Sequence, residues 1–188
     1  MVLDALLSVD EQWLIRVNAL SGNAIADKLM LLASGRLASI PIYVLAAYYL
    51  LKHFGLRSFG WVVLSAVSLV ILTDQGSVVL FKEMFQRLRP CHNPDLLGQI
   101  NLVSGRCGGS YGFISSHASN VFGFATLISF LLRGRGIIWY SLFAWASIVA
   151  FSRIYLGVHY PFDVLAGSLY GLIIGSLMVI VTKKHLLP

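Results

Sequence analysis

Long apolar runs separated by short polar islands set the pattern of this chain. Residues 2–20 open it with Leu3, Leu6, Leu7, Trp13, Leu14, Val17 and Leu20 at helical spacing, among Asp10, Glu11 and Arg16. That alternation predicts an amphipathic helix lying on a membrane surface, with packing against a helical bundle as a compatible role. Residues 24–34 are shorter, carry Asp27 and Lys28, and read as interfacial too. Five runs long enough to span a bilayer follow, at about 37–54, 58–81, 115–132, 137–151 and 162–181. The second is expected to continue as a polar helix through Lys82 to Leu88, until Arg89-Pro90 ends it, because a residue before proline is pushed out of the helical region. A polar loop, 90–112, comes next. Lys52, His53 and Arg57 close one tight turn, Arg133-Gly134-Arg135-Gly136 another, and the last run ends in Lys183-Lys184-His185. No internal repeat is evident.

Composition turns this pattern into a fold class. Of 188 residues, 57% are hydrophobic and 12% charged, about half the charged share of a soluble domain. The expectation is an all-α polytopic membrane bundle: about five transmembrane helices plus an N-terminal interfacial amphipathic helix. Residues 1–188 form one domain, with 1–35 interfacial and 36–188 the bundle. The net charge of +6 is scattered over short loops, which argues for the bilayer as partner and against nucleic acid. Asp4, Asp10 and Glu11 interrupt the first apolar stretch, so the spans themselves are expected to direct insertion. Five spans put the ends on opposite sides. Lys52, Arg57, Arg133, Arg135, Lys183 and Lys184 mark one side as cytoplasmic by the positive-inside rule. The other side receives Lys82, Arg87, Arg89, Arg106 and Arg153, a cluster set aside as a functional candidate. Cys91 and Cys107, the only cysteines, fall in the outer loop, where an oxidising compartment would allow a disulfide.

Three polar clusters on that outer side carry the chemistry. In Lys82–Pro90, Lys82 and Arg89 stand two helical turns apart and can lean toward one face, while Glu83 and Arg87 are spaced to pair on the helix surface. In Gly112–His117, Ser115 suits an N-cap, and the helix start behind it offers backbone N–H groups to an anion. In Ser152–Asp163, Arg153 offers a planar fork of donors, His159 a titratable ring, and Asp163, four residues on, can reach back to hold that ring. Pro161 fits the first turn of the helix that follows. Three cations, a helix start and two histidines are what phosphoryl transfer without a metal requires: cations for the transition-state charge, one histidine to attack phosphorus, another to protonate the leaving oxygen. No acidic cluster suits a magnesium pair and no Cys/His spacing suits zinc, so no metal or other cofactor is expected. His53, His92 and His185 read as structural or solvent-facing.

Lys82-x6-Arg89-Pro90, Ser115-Ser116-His117 and Ser152-Arg153-x5-His159-x3-Asp163 together resemble the three-part signature of the type-2 phosphatidic acid phosphatase superfamily. The resemblance covers about residues 82–163. It implies a bacterial membrane lipid phosphatase in which His159 is the nucleophile and forms a phosphohistidine. Asp163 would orient His159. His117 would protonate the leaving alcohol and then activate water. Lys82, Arg89, Arg153, Ser115 and Ser116 would hold the phosphate. The family usually shows Pro-Ser-Gly-His in the second motif; here Ile114 and Ser116 replace the proline and glycine.

The implied substrates are undecaprenyl diphosphate, phosphatidylglycerophosphate, phosphatidic acid or the phosphates of lipid A, met at the periplasmic face of the bacterial inner membrane. A small outer loop leaves room for a bulky head group, which favours lipid A or an undecaprenyl carrier. The same residues could serve a lipid phosphotransferase or a haloperoxidase. A transporter or non-catalytic phospholipid binder is the alternative of another class, and it leaves His117, His159 and Asp163 without a use. Asp74, inside the second span, reads as an interhelical hydrogen-bonding group too deep to touch phosphate.

Overall fold

The computed structural model describes residues 2–132 and 136–186, so Arg133 and Arg135 of the expected basic turn lie outside the described residues. Helix α1 spans Val2–Asn18, α2 Ala24–Ser34 and α3 Ile40–Ser77; a π-turn, Val78–Lys82, leads into the short α4, Glu83–Phe85. After the outer loop come α5, Ser116–Leu131; α6, Ile137–Tyr155; and α7, Pro161–Leu186. The architecture is all-α. Among the described residues, three helices are long and apolar enough to cross a membrane: the α3–α4 stretch (Leu37–Phe85), α6 and α7.

Helix α3 is not straight. Gly55 takes φ 72°, ψ 169°, a conformation open to glycine and closed to helices. Tyr43 and Ala46 before it line the same cavity as Val67 and Val70 beyond it. On one straight helix Tyr43 and Val70 would stand about 40 Å apart, so the two arms double back, in keeping with the two expected runs at 37–54 and 58–81. Trp61 stacks on His185 with ring centroids 4.3 Å apart, tying the start of the second arm to the end of α7.

The core inverts the logic of a soluble bundle. Leu165, Leu169, Ile173 and Leu177 repeat every four residues along α7 and are all more than half exposed, as a lipid-facing stripe would be. The opposite flank carries Gly167, Gly171 and Gly175. A Cβ on Gly167 would stand 2.5 Å from Ser115 O and one on Gly175 2.7 Å from Gly123 O; Gly171 meets Ser119 O as closely. Only glycine permits α7 to lie this near α5. The centre fills with Leu69, Val121, Ala125, Ile128, Ala146 and Val149.

Helix α1 packs against α6 and α7. Asp10, Leu14 and Asn18, four apart, form its buried face, while Leu6, Val9 and Trp13 are exposed. The polar residues of this helix thus serve the interior as well as the surface. Asn18 donates to Tyr155 O at 2.8 Å and Asn101 O at 2.9 Å and accepts from Asn101 N at 2.7 Å, joining α1, the outer loop and the end of α6.

Candidate active site

The expected polar helix through Leu88 stops short. Gln86 adopts a left-handed conformation (φ 46°, ψ 28°) and ends α4. The chain then runs extended: Arg89 N donates to Ser110 O at 2.9 Å and Gly112 N to Arg87 O at 2.8 Å, about an isolated bridge between Leu88 and Tyr111. Lys82 and Arg89 therefore converge from a helix and from a strand-like segment, not from one helical face. The same break redirects Arg87. Instead of pairing with Glu83, it donates to Asp10 Oδ2 at 2.7 Å and Asp163 Oδ1 at 3.0 Å, with its guanidinium carbon 3.8 Å from the centre of the Tyr160 ring. Cys91 and Cys107 form a disulfide that closes the outer loop, with Cα atoms 6.0 Å apart.

His159 sits on the turn between α6 and α7. Gly157, at φ 74°, lets the chain reverse where a Cβ would meet Asn101 O at 3.0 Å. His159 N donates to Arg153 O at 3.3 Å, and Ser115 N to Asp163 O at 2.9 Å, so α5, α6 and α7 are joined by backbone at this point. Asp10 Oδ1 accepts from Phe162 N at 2.8 Å and satisfies a donor at the start of α7. Asp163 is fully buried. Its Oδ2 accepts from Tyr160 N at 3.1 Å and faces His159 Nδ1 at 3.4 Å.

The electrostatics follow from that packing. With Nδ1 directed at a carboxylate, the Nε2 lone pair of His159 is left for the opposite side, where Arg89 NH1 lies 3.2 Å away. Burial, and then the charges of Arg89, Arg153 and Lys82, hold the imidazole well below the ordinary histidine value, so the ring is neutral and nucleophilic. Burial also lowers Arg89 from its usual value. Arg89 Nε and Arg153 Nε are buried with no hydrogen-bond partner among the described residues, an arrangement suited to an oxyanion. Arg153 donates instead through NH1 to Ser34. Lys82 Nζ donates to Ser116 Oγ at 2.6 Å. Lys82, Arg89, Arg153, Ser116, His159 and Asp163 are thus gathered into one site.

Ser115 and His117 are placed differently. Ser115 is fully buried, and its Oγ accepts from Ala118 N at 3.5 Å, as an N-cap. His117, half-buried on the first turn of α5, faces a cavity of about 740 Å³ between the arms of α3 and α5. Ser34, Gly35 and Ser39 line it together with the apolar Leu50, Phe59 and Ile128. His92 is exposed, 3.3 Å from Gly108 O. Asp10, Arg87 and Asn18 escaped the motif reading. The one sequence signal for Asp10 and Asn18 was their eight-residue spacing about Leu14 on one face of α1, ambiguous beside Glu11 and Arg16.

Residues 58–186 match the family model of the PAP2 superfamily. The chain is 32% identical over 187 residues to a lipid A 4'-phosphatase of Bacteroides thetaiotaomicron, covering 97% of this chain and 81% of that protein. It is 29% identical over 173 residues to a lipid A 4'-phosphatase of Porphyromonas gingivalis, covering 92% and 72%. A decaprenylphosphoryl-5-phosphoribose phosphatase of Mycobacterium tuberculosis is 29% identical over 143 residues, covering 68% and 75%. Among solved structures, Aquifex aeolicus LpxE superposes with a TM-score of 0.63 at 25% identity, over 92% of this chain and 93% of that one. A Bacillus subtilis PAP2-type phosphatidylglycerolphosphate phosphatase shares the fold, with a TM-score of 0.70 at 22% identity over 96% and 87%.

Proposed function

The chain belongs to the PAP2 superfamily and is a multi-pass membrane lipid phosphatase, and from that premise we propose that it hydrolyses a phosphate monoester of a glycolipid of the lipid A type at the outer face of the cytoplasmic membrane. The observation that carries the chemistry is a buried neutral His159 whose Nδ1 faces Asp163 and whose Nε2 faces Arg89, with Lys82 and Arg153 close enough to act on its charge.

In the first step His159 Nε2 attacks phosphorus, the bond from phosphorus to the lipid oxygen breaks, and His117 gives that oxygen a proton. In the second, His117 takes a proton from water, the water oxygen attacks the phosphohistidine, and inorganic phosphate leaves His159. Lys82, Arg89 and Arg153 balance the charge on the phosphoryl oxygens throughout, and the backbone N–H of Ser116, at the start of α5, adds a donor. Asp163 keeps Nδ1 protonated and is itself held by Arg87.

Two relatives that cover 97% and 92% of this chain are named lipid A 4'-phosphatases, which supports a glycolipid substrate. The apolar cavity beside His117 supports a lipid whose chains descend next to the reacting phosphate. The orientation rests on the lysines at the end of α7 and on a disulfide in the loop that carries the site. In this reading the two arms of α3 and helices α5, α6 and α7 make the five crossings.

The test is phosphate release by the purified protein in detergent with a chelator present, from lipid A, undecaprenyl diphosphate, phosphatidylglycerophosphate and phosphatidic acid, beside His159→Ala. Release from lipid A that is lost in the variant is the expected result. Preference for the polyprenyl substrate would move the assignment toward the chemistry named for the mycobacterial relative. Lipid-to-lipid transfer without free phosphate would make the chain a phosphotransferase.

A further inference from the structure

Asp74 is the intramembrane acid that the scheme above leaves unused, and the register of two helices gives it a place. Thr73 Oγ1 meets Asn120 Oδ1 at 2.5 Å, and one turn on, Ser77 Oγ meets Ser116 Oγ at 2.5 Å. As numbers rise on α3 they fall on α5, so the second arm of α3 and α5 are antiparallel. Asp74 follows Thr73 and His117 follows Ser116, each turned about 100° from the facing pair. In antiparallel right-handed helices those two rotations carry both side chains to the same flank. Both residues line the same cavity. Taking the two bonds as level marks, their Cα atoms differ in height by about 3 Å along the axis.

We propose that Asp74 is a positioning residue for His117, its carboxylate accepting a hydrogen bond from one imidazole nitrogen so that the other delivers the proton to the leaving lipid oxygen. Each catalytic histidine would then have its own acid: Asp163 for the nucleophile, Asp74 for the proton donor. A carboxylate within a membrane-embedded helix is costly unless partnered, and against an imidazole that must carry a proton it favours the charged form. The Thr73–Asn120 and Ser77–Ser116 bonds on either side fix the rotation of both helices. Asp74 is also within electrostatic reach of Lys82. If that were its whole role, it would act on phosphate binding and not on the leaving group.

This inference rests on His117 being the proton donor, and the experiment separates the two ideas. kcat/KM is measured in detergent for the lipid substrate and for p-nitrophenyl phosphate, whose phenolate leaves without a proton, with wild type, Asp74→Asn and His117→Ala. Expected for Asp74→Asn is a loss of about 10- to 100-fold on the lipid and less than about threefold on the nitrophenyl ester; His117→Ala shows the same selectivity more deeply. If His117→Ala lowers both substrates equally, the assignment of His117 falls and the proposal with it. If His117→Ala is selective but Asp74→Asn lowers both alike, or neither, the positioning role is overturned while His117 keeps its part. Should Asp74→Asn not yield monodisperse protein, Asp74→Glu goes through the same pair of substrates: selective loss supports the role, and equal or no loss overturns it.

Discussion

Arg87 is the residue whose position changes the reading of the site most. It bridges two carboxylates that are wholly buried, Asp10 and Asp163, and only a forked guanidinium spans both. Arg87→Gln leaves Asp163 without its strongest partner and loosens the orientation of His159. The expected result is a fall in kcat of about 10- to 100-fold with KM little changed, together with a lower unfolding temperature; steady-state kinetics and a thermal shift in detergent check it. Asp10→Asn keeps Arg87 on Asp163 and is expected to cost less. His159 supplies a second test at this scale. Its protonation is held below the ordinary 6.5 by burial and three neighbouring cations. The unfolded chain therefore takes up a proton near that pH while the folded one does not, so this residue's contribution to stability is present above pH 6.5 and is lost as pH falls below it. NMR of isotope-labelled histidine should find the His159 ring neutral at pH 6.5 in the free enzyme, and a protonated ring there would contradict the site's electrostatics.

Among the elements, α7 sets how closely the residues of the candidate site approach. Its glycine flank meets the backbone of Ser115, Ser119 and Gly123, and the same helix carries Asp163 in its first turn. Small residues at four-residue intervals let two helices meet backbone to backbone, which is how packing is achieved where lipid tails are as apolar as leucine. Gly171→Ala places a methyl against Ser119 O and is expected to destabilise by about 1–3 kcal/mol, the range for overpacking, with a matching loss of activity as α5 shifts from α7. Gly60→Ala is the control, because a Cβ there meets nothing within 4 Å. Thermal unfolding of the two variants in one detergent checks the difference; equal midpoints would remove the close approach from the account.

At the scale of the molecule, the proposed phosphate site and the apolar cavity adjoin. Arg153 and Ser34 connect them, because Ser34 lines the cavity and accepts from the Arg153 guanidinium. A lipid whose chains enter between the arms of α3 would bring its head group up beside His117. Narrowing that space with Ala66→Phe, on the second arm, is expected to reduce kcat/KM for the lipid at least tenfold. p-Nitrophenyl phosphate, with no acyl chain to seat, should be turned over as before. Equal effects on both substrates would mean that the cavity does not receive the chains.

Much of this protein could be read from its residues in order. Long apolar runs gave the helices, because a segment that spans lipid must satisfy its own backbone and be apolar for about 20 residues. The motif spacings put Lys82, Arg89, Ser115, Ser116, His117, Arg153, His159 and Asp163 forward as one group, because a phosphoryl site needs cations and an oriented base in fixed relation; the fold draws Lys82 to Ser116 and Arg89 and Asp163 to His159. Pro161 marked the start of α7 through its own backbone preference. Polarity could not say which face of an apolar helix turns inward, since lipid and core are alike to it; on α7 the signal was size, glycine against leucine. Nor could local spacing show that Arg87 leaves its helix one residue after Gln86, or that Asp10 crosses 152 positions to cap α7 at Phe162. Those contacts exist only once α1 lies against α7, and so the support that Arg87 and Asp10 give to Asp163 and His159, and the flank shared by Asp74 and His117, were decided by the tertiary structure alone.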